Sequence, residues 1–213
     1  MKGESIVGTM ESSVVTKPYI EYTLTADGKG YKTINFHGDG VTPVFADMVK
    51  NYGNATDITI SGVTNIPDFF IPTLTLIENL VIGDGVEKIG QSAFKVTNGT
   101  PKCNSITFSD SVKELGIQAF KGWSSFDKRV KIIFGANLEK LYGDTFGFNN
   151  QIFDFRKATK VPAMISSTDY RPTVKRYCTF IIPDALYDEW RASTNWTFIA
   201  GKKEWKKASE VTE

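Results

Sequence analysis

Apolar residues return along this chain at a fixed interval. Val86, Val112 and Leu138 are 26 residues apart at each step, as are Ile89, Leu115 and Leu141, and Phe94, Phe120 and Phe146. They belong to three versions of one string: GVEKIGQSAF at 85–94, SVKELGIQAF at 111–120 and NLEKLYGDTF at 137–146. A period in this range marks a solenoid. Upstream of each string lies a short alternating segment: ENLVI (78–82), NSITF (104–108) and VKIIF (130–134). Alternation of period two predicts half-buried strands, with Leu80, Ile82, Ile106, Phe108, Ile132 and Phe134 turned inward. One such unit cannot bury its own apolar stripe. Stacked copies make a parallel ladder of strands with a continuous core behind it. The recurring phenylalanines are expected to stack along that core.

The flanks depart from the period. Residues 1–17 read as an arm or an edge strand. Within 18–54, Ile20, Tyr22 and Leu24 alternate, DGKG turns, and Ile34 and Phe36 alternate again, which predicts a hairpin. A short helix follows, with Thr42 as N-cap, Pro43 in the first turn and Gly53 at its end. Repeats occupy 55–165, opening with an imperfect copy in which Val63 and Ile66 precede Val86 and Ile89 by 23 residues. Phe153 and Phe155 head inward on one more strand. In the cap, 166–213, YCTFIIPDALYDEWRASTNW supplies a strand and a helix, and Trp190, Trp196 and Trp205 close the end. Terminal repeats have a neighbour on one side only, so they must be atypical.

The same alternation assigns the opposite face. Thr59, Val81, Thr107, Ile133 and Asp154 should line an open strip of the strand ladder. Solenoids bind partners on such extended strips. This one is small and β-branched, with no aromatic row on which sugars or bases would stack. Trp123, in FKGWSSFD, either anchors a partner from the surface or packs over the turn.

Charge narrows the partners. The 213 residues carry a net charge of +1, which exerts no general pull on nucleic acid or anionic membranes. No apolar run reaches the ~18 residues of a membrane-spanning helix, so membrane insertion is not expected. The segment MKGESIVGTMESSVV has no apolar signal core, so the chain is expected to be cytosolic or released by another route. Six bases stand against one acid between Arg156 and Arg176. They form either a solvated face at the cap or a surface for an acidic partner. Cys103 and Cys178 read as buried free thiols rather than a disulfide.

Candidate chemistry is sparse. The single histidine, His37 in NFHGDG, has no nucleophile motif beside it and reads as a turn residue after a strand. DGKG and the two GDG strings lack the spaced carboxylates of a twelve-residue calcium loop. Phosphate-cradling glycine loops, zinc spacings and serine-hydrolase elbows are missing too. The expectation is a non-enzymatic chain without cofactors or metals.

The strings IENLVIGDGVEKIGQSAF (77–94) and CNSITFSDSVKELGIQAF (103–120) resemble the BspA-like leucine-rich repeat. RVKIIFGANLEKLYGDTF (129–146) is a weaker copy, with Tyr142 in place of the glycine and Thr145 in place of the alanine. The resemblance implies a mainly β fold with short helices, a leucine-rich-repeat solenoid with atypical caps at both ends. IPDALYDEWRASTNW (182–196), followed by KKASE (206–210), resembles the cap of such proteins from gut bacteria and their phages. In phages these look like virion components of the tail, baseplate or fibres; the bacterial branch resembles surface adhesins. What this implies is a phage structural protein in the virion. It would form a homo-oligomer in an assembly and meet other virion proteins or a host cell-surface receptor. The alternative is a bacterial cell-surface adhesin.

Overall fold

The computed structural model describes residues 8–11, 19–24, 31–37, 55–70, 76–97, 102–123, 129–147, 149–165, 173–197 and 200–212. Strands over these residues are β1 (Gly8–Glu11), β2 (Tyr19–Leu24), β3 (Tyr31–His37), β4 (Asp57–Ser61) and β5 (Asn65–Ile66). They continue as β6 (Asn79–Ile82), β7 (Lys88–Ile89), β8 (Ser105–Phe108), β9 (Glu114–Leu115) and β10 (Val130–Ile133). The last are β11 (Lys140–Tyr142), β12 (Gln151–Asp154), β13 (Ala163–Ile165), β14 (Thr173–Ile182) and β15 (Ala200–Lys207). Two short helices, α1 (Tyr187–Ala192) and α2 (Thr194–Thr197), precede β15. The short helix expected over 42–53 lies outside the described residues.

These strands form two sheets. The larger runs β1-β2-β3-β4-β6-β8-β10-β12-β14-β15 and the smaller β13-β11-β9-β7-β5. β4 to β15 pair in parallel, as one strand per turn of a solenoid requires. The expected hairpin is present as antiparallel β2–β3, and β1 adds to its edge. β3 then pairs in parallel with β4, so the hairpin extends the ladder rather than standing apart from it.

Register keeps the repeat in line even where a copy is shorter than 26 residues, as from Ile58 to Leu80 and from Ile132 to Phe153. Ile58, Leu80, Ile106, Ile132, Phe153 and Phe180 sit side by side on the inner face, and none is more than 1% exposed. The recurring Val-x-x-Ile step forms the smaller sheet, placing Ile66, Ile89, Leu115, Leu141 and Met164 in a second buried row. Phe94, Phe120 and Phe146 stack between the sheets with centroids 5.2 and 5.4 Å apart. A second column, Phe108–Phe134–Phe155, stacks beside it at 5.3 and 4.1 Å. Edge-on contacts such as Phe108–Phe120 tie the columns together. Stacked and edge-on pairs each add about 0.5–1.5 kcal/mol beyond burial.

Turns repeat as faithfully as strands. Ser92 and Gln118, 26 residues apart, hold the same left-handed conformation, at φ 54° and 56°. Gly116 marks a close approach of successive turns: a Cβ there would lie 2.7 Å from the Gly90 carbonyl carbon. At the C-terminal end Trp190 and Trp196 are fully buried with centroids 5.1 Å apart. Trp205, on β15, stacks on Phe180 at 4.6 Å. The cap is therefore an aromatic plug. It ends the core by covering the last inward ring. Cys103 and Cys178 are buried thiols that form no disulfide, and burial pushes the Cys178 thiol upward.

Candidate interaction surface

The outer face of the large sheet is built from the positions that alternate with the core. Pairing register puts Thr59, Val81, Thr107, Ile133 and Asp154 into a single row across β4, β6, β8, β10 and β12. These are the five strand residues expected there, and the sheet does bring them together. Their accessibility differs. Val81 is 36% exposed, whereas Thr59, Thr107 and Ile133 are partly covered.

Two residues assigned to binding need correction. Asp154 lies in the row but is only 3% exposed. Its carboxylate accepts Arg156 Nε at 3.0 Å and Nη2 at 2.7 Å, and Lys131 Nζ stands 3.7 Å away. It is an internal counter-ion that holds Arg156 across the face, because an unpaired carboxylate could not be buried there. Trp123 is fully buried. Its indole N–H donates to the Phe94 carbonyl, and its ring meets Phe94 and Phe120 edge-on. Of the two sequence readings, packing over the turn holds and the surface anchor does not. A large amphipathic ring gains more by sealing the column than by facing water.

Polar residues flank the row. Asn79 Nδ2 donates to Asp57 Oδ1 at 2.7 Å, and Ser105 Oγ donates to Asn79 Oδ1 at 2.9 Å, so one rim is a hydrogen-bonded ladder. Two shallow grooves lie on the other side. One, of about 340 Å³, includes Val81, Gly83, Thr107 and Ser109; the other, of about 270 Å³, includes Lys131, Ile133, Arg156 and Lys157. Sequence reasoning missed these basic residues as part of the strip. Their spacing does not follow the repeat, and the basic stretch 156–176 gave no sign of which bases face the sheet. In the structure Arg156 pairs with Asp154, Lys157 with Asp110 and Lys160 with Glu139.

The smaller sheet presents a different surface. Lys88, Glu114 and Lys140 alternate across β7, β9 and β11, with ion pairs of 3.5 and 3.4 Å. Lys113 pairs with Glu87 at 2.9 Å beside them. That side is neutralised by its own side chains. Among the described residues no group of three His, Cys, Asp or Glu could hold a metal ion, and no helix is long and apolar enough to cross a membrane.

A family model, BspA type leucine rich repeat region (6 copies), matches residues 28–127 and 64–165. The chain belongs to the BspA-type leucine-rich-repeat family. The family match covers strands β3 to β13. No curated protein and no solved structure matches the chain. As a BspA-type repeat protein it carries a scaffold whose general use is binding other proteins along an extended face. The open row of the large sheet is the face that fits this use.

Proposed function

We propose that this chain is a non-enzymatic structural protein of a phage virion, in the tail, baseplate or fibre. It displays its leucine-rich repeats to bind a host-surface protein or another virion protein. The observation that carries the binding part is the row Thr59–Val81–Thr107–Ile133, a strip of β-branched side chains on the outer face of the large sheet. The strip contrasts with the self-paired charges of the opposite sheet. The virion part is supported by the C-terminal segments at 182–196 and 206–210, which resemble caps found in phage proteins of this kind. The non-enzymatic part is supported by the scarcity of catalytic motifs.

Two measurements test the reading. Peptide mass spectrometry on purified phage particles should detect the chain. Detection only in a bacterial envelope fraction would replace the virion assignment by the adhesin one. Binding of labelled protein to particles or host cells should be lost in a Thr107→Arg/Ile133→Glu variant with an unchanged circular dichroism spectrum. Undiminished binding by that variant would exclude the open face.

A further inference from the structure

The two grooves of the open face carry opposite charge, and this points to a ligand chemistry. The β6–β8 groove is lined by the small residues Gly83 and Ser109, which stack against Ser61 and Gly135 of the neighbouring turns. The stacked turns leave no room for more. A Cβ on Gly83 would lie 3.0 Å from Ser61 Cβ, and one on Gly135 would run into the Ser109 carbonyl. The result is a trough beside the apolar row. At the β6–β8 end its charged residues are Asp84, Asp110 and Lys157, the last shared with the other groove. At the β10–β12 end they are Lys131, Arg156 and Lys157, with Asp154 as the one carboxylate.

That basic end is only loosely neutralised. Asp154 is engaged by Arg156 in a two-point pair, and Lys131 stands off at 3.7 Å. Lys157 reaches Asp110 at 3.9 Å, and the two side chains are 65% and 56% exposed. The exposed Lys157–Asp110 pair contributes little, so Lys157 can exchange that carboxylate for a better placed one. Lys131 is the outer partner of a buried carboxylate that Arg156 already binds at two points, so its half-exposed ammonium is left to face the groove. Pairs on the opposite sheet face close to as little as 2.9 Å.

We propose that the groove at β10–β12 is an anion subsite that takes an Asp or Glu carboxylate from an extended segment of a partner protein. Lys131 and Lys157 are its direct ligands, and a neighbouring aliphatic side chain of that segment lies over Val81, Thr107 and Ile133. A peptide suits the trough better than an acidic glycan. The rings nearest the grooves, Phe108 and Phe134, are 2% and 1% exposed and give a sugar nothing to stack on. The inference deepens the open-face reading and rests on it.

The test is selection of random heptapeptides on the immobilised protein at low salt, followed by fluorescence anisotropy of the enriched sequences. Enriched peptides should carry Asp or Glu next to an aliphatic residue. Replacing that acid by Asn or Gln, or using K131M/K157M protein, should weaken binding by about tenfold, the scale of two exposed ion pairs. The variant keeps the Arg156–Asp154 pair, so its circular dichroism should be unchanged. Failure to enrich any peptide overturns the proposal, as do neutral or basic winners. Tight binding of polygalacturonate with no peptide competition also overturns it, in favour of a glycan. Acidic peptides that ignore K131M/K157M but are lost with Thr107→Arg remove the subsite and leave the open face standing. Peptides indifferent to both remove both.

Discussion

Replacing Phe120 by alanine removes the middle ring of the Phe94–Phe120–Phe146 stack. Phe120 is fully buried, with Phe94 at 5.2 Å on one side and Phe146 at 5.4 Å on the other. Phe108 and Trp123 meet it edge-on at 5.4 and 6.0 Å. Loss of a buried phenylalanine costs about 3–5 kcal/mol, and the upper part of that range applies where surroundings cannot collapse. Collapse is restrained here, because the rings above and below are pinned by their own strands and turns. Stability in a stacked array sums unit and interface terms, so a ring at the centre weakens two interfaces at once. We expect Phe120→Ala to cost ~4 kcal/mol, a large share of the ~5–15 kcal/mol of a typical domain. Phe120→Leu should cost ~2 kcal/mol, since it mainly forfeits aromatic pairing at about 0.5–1.5 kcal/mol per neighbour. Urea unfolding followed by circular dichroism gives these values. A loss below about 1 kcal/mol for Phe120→Ala, the typical cost of any point substitution, would refute the reasoning that the ring column carries the solenoid.

Two further outcomes follow from contacts on single residues. Gly116→Ala puts a Cβ 2.7 Å from the Gly90 backbone and should cost about 1–3 kcal/mol in thermal or urea denaturation. Gly147→Ala, whose Cβ would meet nothing nearer than 4.0 Å, should leave the midpoint almost unmoved. The Lys160 hydrogen bond and charge hold the Glu139 carboxyl below its ordinary 4.5, and hydrogen bonds from Ser209 hold Asp184 below 3.8. A carboxylate lowered on folding adds stability that is complete above its unfolded value and lost as pH falls through the folded one. The denaturation midpoint should therefore decline on acidification through and below those values. Glu139→Gln and Asp184→Asn should each flatten the decline, and an unchanged slope in both would show that these pairs do not contribute.

Much of the site was legible because strand geometry is periodic. A side-chain period of two, combined with the 26-residue repeat, places Val81, Thr107 and Ile133 in one row, and the shorter first copy adds Thr59, 22 residues before Val81. Asp154 obeyed the same rule for position and broke the inference about access. Its burial depends on Arg156, two residues on, folding back over it. The small sheet was also illegible as a sheet. Two-residue strands such as Lys88–Ile89 are too short to show alternation, and only their stacking creates the ladder.

By itself the sequence determined the solenoid, its period, its inward residues and its open face, because each depends on local geometry repeated many times. Tertiary structure decided what non-repeating residues do. Trp123 seals the ring column, Trp205 arrives on β15 to cover Phe180, and Arg156 with Lys157 turns onto the sheet face. Those outcomes depend on contacts between residues far apart in sequence, 29 positions for Trp123 with Phe94 and 47 for Lys157 with Asp110. Such contacts have no periodic signal. They are set by which neighbour can satisfy a buried ring, amine or carboxylate once the chain has stacked.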